Sequence, residues 1–143
     1  MNRADLISAI AEEMGTMRRL SASLHKNCPL PEGSPTPAQL GILFTLFHQG
    51  PQTLKELSGQ LFMTPSAATQ LTDGLVRDEL VTREANTDDR RKIRLSITNR
   101  GRDKLLLAKK SHIESFMKLF EVLTDQELET YLTLQRKLIS HLK

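Results

Sequence analysis

The sequence has few of the residues that carry metal, redox or cofactor chemistry. Its 143 residues include one cysteine, no tryptophan, one tyrosine and four histidines. The single cysteine, Cys28, excludes a disulfide within the chain and a zinc site made of cysteines, and the histidines lack the spacing of metal ligands. A glycine-rich phosphate loop, a nucleophile elbow and a clustered acid–base pair are also missing. We therefore expect that the protein is not an enzyme and holds no metal and no cofactor.

Long apolar runs and a strong net charge are missing too. No stretch is apolar enough over about 20 residues to span a membrane, and the N-terminal segment carries several charges, unlike a signal peptide. We expect a cytoplasmic protein with no membrane partner. The net charge is only +3, so total charge does not identify a nucleic-acid binder. The basic residues are concentrated between Arg83 and Lys110, and their position therefore matters more than their number.

Two short helix patterns follow each other in the middle of the chain. The first begins at Thr53, which forms a capping box with Glu56 and precedes leucines at helical spacing. The second begins after a turn of about three residues, with Thr64 as the cap and Pro65 at the first helical position. Its predicted inward face consists of Ala68, Leu71 and Leu75. This arrangement is typical of a helix-turn-helix, whose second helix enters the major groove of DNA.

The outer face of the second helix carries small or amide side chains, namely Ser66, Ala67, Thr69, Gln70 and Asp73. We expect Thr64 and Ser66 to hold phosphates, since a helix N-terminus attracts anions. Gln70 can pair with adenine through two hydrogen bonds, and the methyl group of Thr69 or Ala67 can contact a thymine methyl. The alternative is that this is simply a tolerant, exposed helix face.

A basic hairpin is predicted next. Ile93, Leu95 and Ile97 alternate with polar residues, as in a strand with one buried face, and Val81 and Arg83 can pair with this strand. The tip carries Arg90, Arg91 and Lys92, which suit the narrow and negative minor groove. A solvated tip without a partner is the alternative. Weaker candidates for phosphate contacts are Arg83, Arg94, Arg100 and Arg102.

Amphipathic helix patterns flank this central part, covering residues 2–26, 37–50, 98–123 and 124–142. The first helix has a narrow apolar stripe, which predicts a dimer interface shared with the last helices; an ordinary core helix is the alternative. The candidate interface residues are Leu6, Ile10, Met14, Met17, Leu132, Leu138, Ile139 and Leu142.

These elements resemble, in their order, the winged helix-turn-helix of the MarR (multiple antibiotic resistance regulator) family. The resemblance rests on the Thr64-Pro65-Ser66 helix start, on Asp89-Arg90-Arg91, and on the stretch from Leu95 to Gly101, and it covers about half of the chain. Two positions depart from the family pattern. Many members have arginine in place of Gln70, and glycine, the residue best suited to a left-handed helix cap, in place of Glu79.

The resemblance implies a mainly α fold with a small β-hairpin wing (α+β), as one domain over residues 1–143. The winged helix-turn-helix would occupy residues 36–98, and residues 1–27 and 99–143 would form dimerisation helices. It implies that Arg91 enters the minor groove with Asp89 as its orienting partner. It also implies a homodimeric, ligand-responsive repressor that binds double-stranded DNA at a pseudo-palindromic operator, an inverted repeat.

The resemblance further implies a small anionic or phenolic effector that binds between the dimerisation helices and the DNA-reading part. Some relatives sense peroxide through an N-terminal cysteine, so Cys28 is either such a thiol or an unreactive residue of a proline-rich loop. The alternative function is a winged-helix adaptor that binds proteins without reading a DNA sequence. Such an adaptor would have no need of the cations at positions 90–92.

Overall fold

The computed structural model describes residues 1–27, 31–85 and 88–142. The elements are α1 (Arg3–Asn27), α2 (Pro37–Gln49), β1 (Gln52–Thr53), α3 (Leu54–Gln60), α4 (Pro65–Arg77), β2 (Val81–Ala85), β3 (Ile93–Ile97), α5 (Asn99–Phe120) and α6 (Asp125–Leu142). The predicted fold, mainly α with a small antiparallel sheet, is confirmed. Cys28, with the loop that follows it, and Asn86 and Thr87 of the hairpin tip lie outside the described residues.

The chain divides into two compact units. We call the described residues of 31–110 the head, and those of 1–27 and 111–142 the end unit. The head contains the elements α2 to β3 and the first half of α5, and the end unit contains α1, the last part of α5 and α6. In the described part of the chain, no helix is long and apolar enough to cross a membrane.

Capping boxes fix where the helices of the head begin. At α2 the backbone N–H of Thr36 donates to Gln39 Oε1 at 3.0 Å, and the N–H of Gln39 donates to Thr36 Oγ1 at 3.2 Å. At α3 the same exchange joins Thr53 and Glu56, at 2.8 and 3.2 Å. The Thr53 N–H holds the pKa of the Glu56 carboxyl below its ordinary value, because it stabilises the ionised form. The predicted capping box of Thr53 and Glu56 is confirmed.

The core of the head joins all of its elements except β1. Its fully or nearly fully buried residues are Ile42, Leu43, Leu46, Leu57, Leu75, Leu80, Val81, Leu95 and Leu105. Thr72 of α4 is also fully buried, and its hydroxyl donates to the carbonyl of Ala68 at 2.6 Å, so no polar group is left unpaired there. Because α4 is anchored by four buried residues along its length, Ala68, Thr72, Gly74 and Leu75, its outer face is held fixed relative to the sheet.

The sheet has the strand order β1-β3-β2, with both pairs antiparallel. Val81 lies opposite Ile97 and Arg83 opposite Leu95, which confirms the predicted pairing. The prediction of a buried face is wrong for Ile93, which is 56% exposed. Ile93 is the first residue of β3, and its side chain lines an open cleft instead of the core.

Helix α4 ends at Arg77. Glu79 adopts the left-handed conformation, with φ of 59°, and its N–H donates to the Val76 carbonyl at 3.0 Å while the Leu80 N–H donates to the Leu75 carbonyl at 2.9 Å. This is the double hydrogen bond of a Schellman cap. Glutamate therefore takes the conformation that glycine would adopt more easily, at a cost of roughly 1 kcal/mol.

Candidate nucleic-acid interface

The start of α4 leaves one donor free for an anion. Thr64 Oγ1 accepts from the Ala67 N–H at 3.1 Å, the Thr64 carbonyl accepts from the Ala68 N–H at 3.0 Å, and Pro65 has no N–H. Within the described residues, the backbone N–H of Ser66 has no acceptor. Together with the exposed hydroxyl of Ser66, it offers two donors to a phosphate at a helix N-terminus.

The side chains on the exposed face of α4 differ in whether their hydrogen-bonding groups are available to a ligand. The hydroxyl of Thr69 donates to the Pro65 carbonyl at 2.9 Å, so Thr69 offers its methyl group and oxygen lone pairs but no proton. Ala67 is partly buried. The amide of Gln70 is exposed and has no hydrogen-bond partner in the described part of the chain, so its donor and acceptor are both free. Gln70 is therefore the residue of this face best able to read a base edge.

An ion pair joins α4 to the wing. The guanidinium of Arg83 on β2 contacts the carboxylate of Asp73 on the exposed face of α4. Both side chains are about half exposed, so the pair itself adds little stability. The pair matters for the charge of this surface. It engages the guanidinium of Arg83, which was predicted to contact phosphate, and it neutralises the carboxylate of Asp73 on the face that would meet DNA.

We expect Asp73→Asn to strengthen DNA binding on every duplex by up to about 30-fold, at about fivefold for each freed cation, and to steepen the salt dependence. Each dimer would gain two unpaired Arg83 side chains, and each phosphate neutralised adds about 0.9 to the slope of log K against log salt. The measurement is affinity between about 0.05 and 0.2 M salt. Asp78→Asn is the control, because Asp78 is also exposed and lies 3.9 Å from Arg77 at the other end of α4. Equal effects of the two variants would show that only net charge matters.

The tip of the wing is held by Asp89. Its carboxylate accepts from the backbone N–H of Arg91 at 3.0 Å, and its carbonyl accepts from the Lys92 N–H at 3.0 Å. Asp89 thus holds the backbone of Arg91 and leaves the guanidinium unengaged. Arg90, Arg91 and Lys92 are all exposed, and none takes part in an ion pair within residues 1–27, 31–85 and 88–142. The tip therefore presents three exposed cations, beside the carboxylates of Asp88 and Asp89.

The sequence comparisons identify the family to which this architecture belongs. The sequence model of the MarR family matches residues 36–93. The uncharacterized HTH-type transcriptional regulator YpoP of Bacillus subtilis is 39% identical over 97 residues, which are 68% of this chain and 69% of YpoP. The chain belongs to the MarR family. It is accordingly a transcriptional regulator of MarR type and not an enzyme.

Two further proteins are similar to this MarR-family chain. The HTH-type transcriptional repressor MdtR of Bacillus subtilis is 41% identical over 66 residues, which are 46% of this chain and 43% of MdtR. The structure of a MarR family protein from Bacillus stearothermophilus matches with a TM-score of 0.77 over 99% of this chain and 98% of that one, at 22% identity. The latter shows that the fold is shared over nearly the whole chain.

A cleft of about 980 Å³ separates α3 from the wing of this MarR-family head. Its basic lining consists of Lys55, Arg83, Arg91 and Lys92, and its apolar lining includes Leu54, Ile93 and Leu95. The exposed face of Ile93 belongs to this cleft. Two of the three charges of the tip therefore lie at its rim, beside the Asp73–Arg83 pair.

The weaker arginine candidates for phosphate contacts differ in their exposure and in their contacts within the head. Arg94 is half-buried and its Nε has no hydrogen-bond partner in the described structure. Arg102 lies over the ring of Phe47, 5.4 Å from its centre, and thus packs on the head. Arg100 lies 3.8 Å from Glu79 and is exposed. Arg100 and Arg102 are thus both exposed, whereas Arg94 is only partly so, and Arg100 is the one that does not pack on an aromatic ring.

Two features of this surface were not predicted from the sequence. The Asp73–Arg83 pair joins residues on different elements, and only their opposite charges could have indicated it. The second is Phe62 in the turn between α3 and α4, which is 97% exposed. A phenylalanine in the middle of a helix-turn-helix turn, where glycine or asparagine is preferred, would have been the signal.

Proposed function

We propose that this regulator is a homodimeric, ligand-responsive repressor that reads an inverted-repeat operator in double-stranded DNA. The observation that carries the proposal is that the head presents both a free amide on α4 and three exposed cations on the wing. A helix face of this kind suits the major groove, and exposed guanidinium groups suit the minor groove beside it. Regulators of the MarR family bind DNA and act as dimers.

The proposed contacts divide by chemistry. Thr64 and Ser66 hold a phosphate, Ala67, Thr69 and Gln70 meet base edges, and Arg90, Arg91 and Lys92 enter or flank the minor groove. Asp89 orients Arg91 through its backbone, and Arg83 reaches a phosphate when its pair with Asp73 opens. Phosphate contacts give affinity and register, whereas base contacts give specificity, so the two groups of residues predict different mutant phenotypes.

The end unit supports the dimer. Its eight proposed interface residues are all exposed in the single chain, from 43% for Met17 to 85% for Leu142, and none of the residues of α6 is buried. A helix of 18 residues without a buried side chain is rarely stable alone. A second copy that covers α1 and α6 would remove this apolar surface from water, and it would place two heads about one DNA turn apart.

The repressor role is proposed from similarity to MdtR, which is named a transcriptional repressor, and the effector from the family resemblance. A small anionic or phenolic compound would favour a spacing of the two heads that does not fit the operator. By linkage, the bound compound lowers the affinity of the protein for DNA by the same factor by which bound DNA lowers the affinity of the protein for the compound. We also propose that the protein acts in the cytoplasm, in the compartment of its DNA.

Selection from a random duplex library at near-physiological salt tests this function. We expect enrichment of an inverted repeat with half-sites about one helical turn apart, and release of the selected DNA by some members of a panel of phenolic carboxylates. Retention of DNA without any motif would contradict sequence reading. If no duplex is retained, the protein is better explained as an interaction adaptor.

Gln70→Ala should weaken binding to the selected operator by roughly 1 to 3 kcal/mol, because contacts to one symmetric pair of bases are lost. Affinity for random DNA should change very little. The physical reason is that a bidentate amide–adenine contact is lost while no charge is removed. Binding to operators substituted one base pair at a time measures this effect. Gln49→Ala, on the exposed end of α2, is the matched control. Equal losses on operator and random DNA would contradict base reading by Gln70.

A further inference from the structure

The side chain of Phe62 extends into solvent from the turn between α3 and α4. It is 97% exposed, whereas its neighbours Leu61 and Met63 pack against the core of the head. An aromatic ring in this position contributes nothing to the burial of apolar surface, which is the main stabilising effect of such a side chain. The stability of the head therefore does not explain the residue.

The backbone at Phe62 makes the choice of residue still more unfavourable. Its φ is 51°, in the left-handed region. The N–H of Met63 donates to the Ser58 carbonyl at 3.1 Å, so Phe62 occupies the left-handed position of the cap that ends α3. Glycine and asparagine adopt this conformation readily, whereas a residue with a bulky side chain pays for it. Folding alone would favour either of those residues over phenylalanine.

The position of the ring in the head indicates what it meets. Phe62 precedes Thr64, the cap of α4, by two residues, so it lies at the end of α4 whose donors we assign to a phosphate. The ring has no charge and no hydrogen-bonding group, and it cannot bind the phosphate itself. The carbon–hydrogen surface of the adjoining deoxyribose is the apolar part of a DNA strand at that location. An exposed ring there would become buried when DNA binds.

We propose that Phe62 is a DNA-binding residue whose ring packs against the sugar of the strand that is held by the start of α4. This inference rests on the proposed function. It makes the turn of the helix-turn-helix a contact point that is independent of charge. The contact contributes affinity on any sequence, because every nucleotide has the same sugar, and it contributes nothing to the salt dependence.

Phe62→Asn tests the proposal, because asparagine accepts the left-handed backbone while the ring is lost. We expect affinity to fall about tenfold on both the selected operator and random duplex, with an unchanged salt slope and a melting temperature that is equal or higher. Phe62→Trp keeps a ring and should stay within about twofold of the parent. Val122→Asn is the matched control, since Val122 is 80% exposed in the end unit.

Each other outcome overturns the proposal in a recognisable way. Unchanged affinity of Phe62→Asn would exclude a DNA contact, and a loss on the operator alone would assign the ring to a base instead of a sugar. A lower melting temperature together with weaker binding would give the residue a structural role. Loss of the dimer in sedimentation velocity would show that the ring covers a second copy. If the parent protein binds no duplex at all, the proposed function itself fails, and that result is separate from these.

Discussion

A variant carrying both Arg90→Ala and Arg91→Ala should bind operator DNA about 10³-fold more weakly at 0.15 M salt. The dimer would lose four positive charges, and each neutralised phosphate contributes about 0.9 to the slope of log K against log salt, or about fivefold in affinity at this concentration. The slope should therefore decrease by about 3 to 4. Affinity and slope are measured on the same duplex by fluorescence anisotropy between about 0.05 and 0.2 M salt.

A matched pair of cations elsewhere separates contact from general charge. Arg136 and Lys137 are adjacent and exposed on α6 in the end unit, so Arg136→Ala with Lys137→Ala removes the same net charge as the wing variant. We expect this control to keep nearly the parental slope, since its charges lie outside the head. If both double variants lose the same affinity, the wing acts only through net charge and the minor-groove contact is refuted.

Local signals explain why so much of the fold could be predicted from the sequence. Each helix of the head starts at a threonine whose partner lies three residues further on, as in Thr53 with Glu56. Such a signal lies entirely within one turn, so no knowledge of the tertiary structure is needed to interpret it. The same holds for the alternation that placed β3, and for the Thr-Pro start of α4. Their order along the chain then determined the fold class.

Features that depend on contacts between distant residues were not predicted. Ile93 was expected to be buried, and its exposure depends on which elements pack against the start of β3, which the alternation in β3 does not encode. Glu79 departs from the family pattern, yet it occupies the left-handed cap position, because a hydrogen bond from a residue outside the helix also holds the cap. The hydroxyl of Thr98 donates to the Glu79 carbonyl at 2.8 Å, across 19 positions of sequence.

The candidate DNA-binding residues show the same division. Their exposure could be predicted, because an amphipathic pattern indicates which side of α4 faces solvent. Their freedom to bind could not: Thr69 uses its proton on the Pro65 carbonyl and Arg83 is paired with Asp73. Whether an exposed polar group is available depends on its hydrogen-bond partners, and these are known only from the coordinates.

Gly101 illustrates a residue whose role changes once the structure is known. In the sequence it is a poor helix former near the start of a long helix pattern, but α5 is continuous from Asn99 and Gly101 is buried. A methyl group at this position would overlap the carbonyl oxygen of Leu80 and lie 2.8 Å from Cγ1 of Ile97. The Leu80 carbonyl cannot move away easily, because it accepts from the Thr98 N–H at 3.0 Å. Glycine is thus required by close packing between α5 and the base of the wing.

Gly101→Ala should lower the free energy of unfolding by about 3 kcal/mol, since an added methyl group meets backbone atoms that are held from both sides. The matched control is Gly59→Ala in α3, where a methyl group would have no neighbour within 4 Å, and which should stabilise by roughly 0.5 to 1 kcal/mol. Urea denaturation at one fixed protein concentration measures both, because the stability of a dimer depends on concentration.

The methyl group added by Gly101→Ala would also disturb the junction where β2 begins and where β3 leads into α5. The Gly101→Ala variant should therefore lose DNA affinity even at temperatures where it is fully folded, while Gly59→Ala keeps it. Equal stability of the two variants would mean that the base of the wing can yield, and that the head is less rigid than its packing indicates.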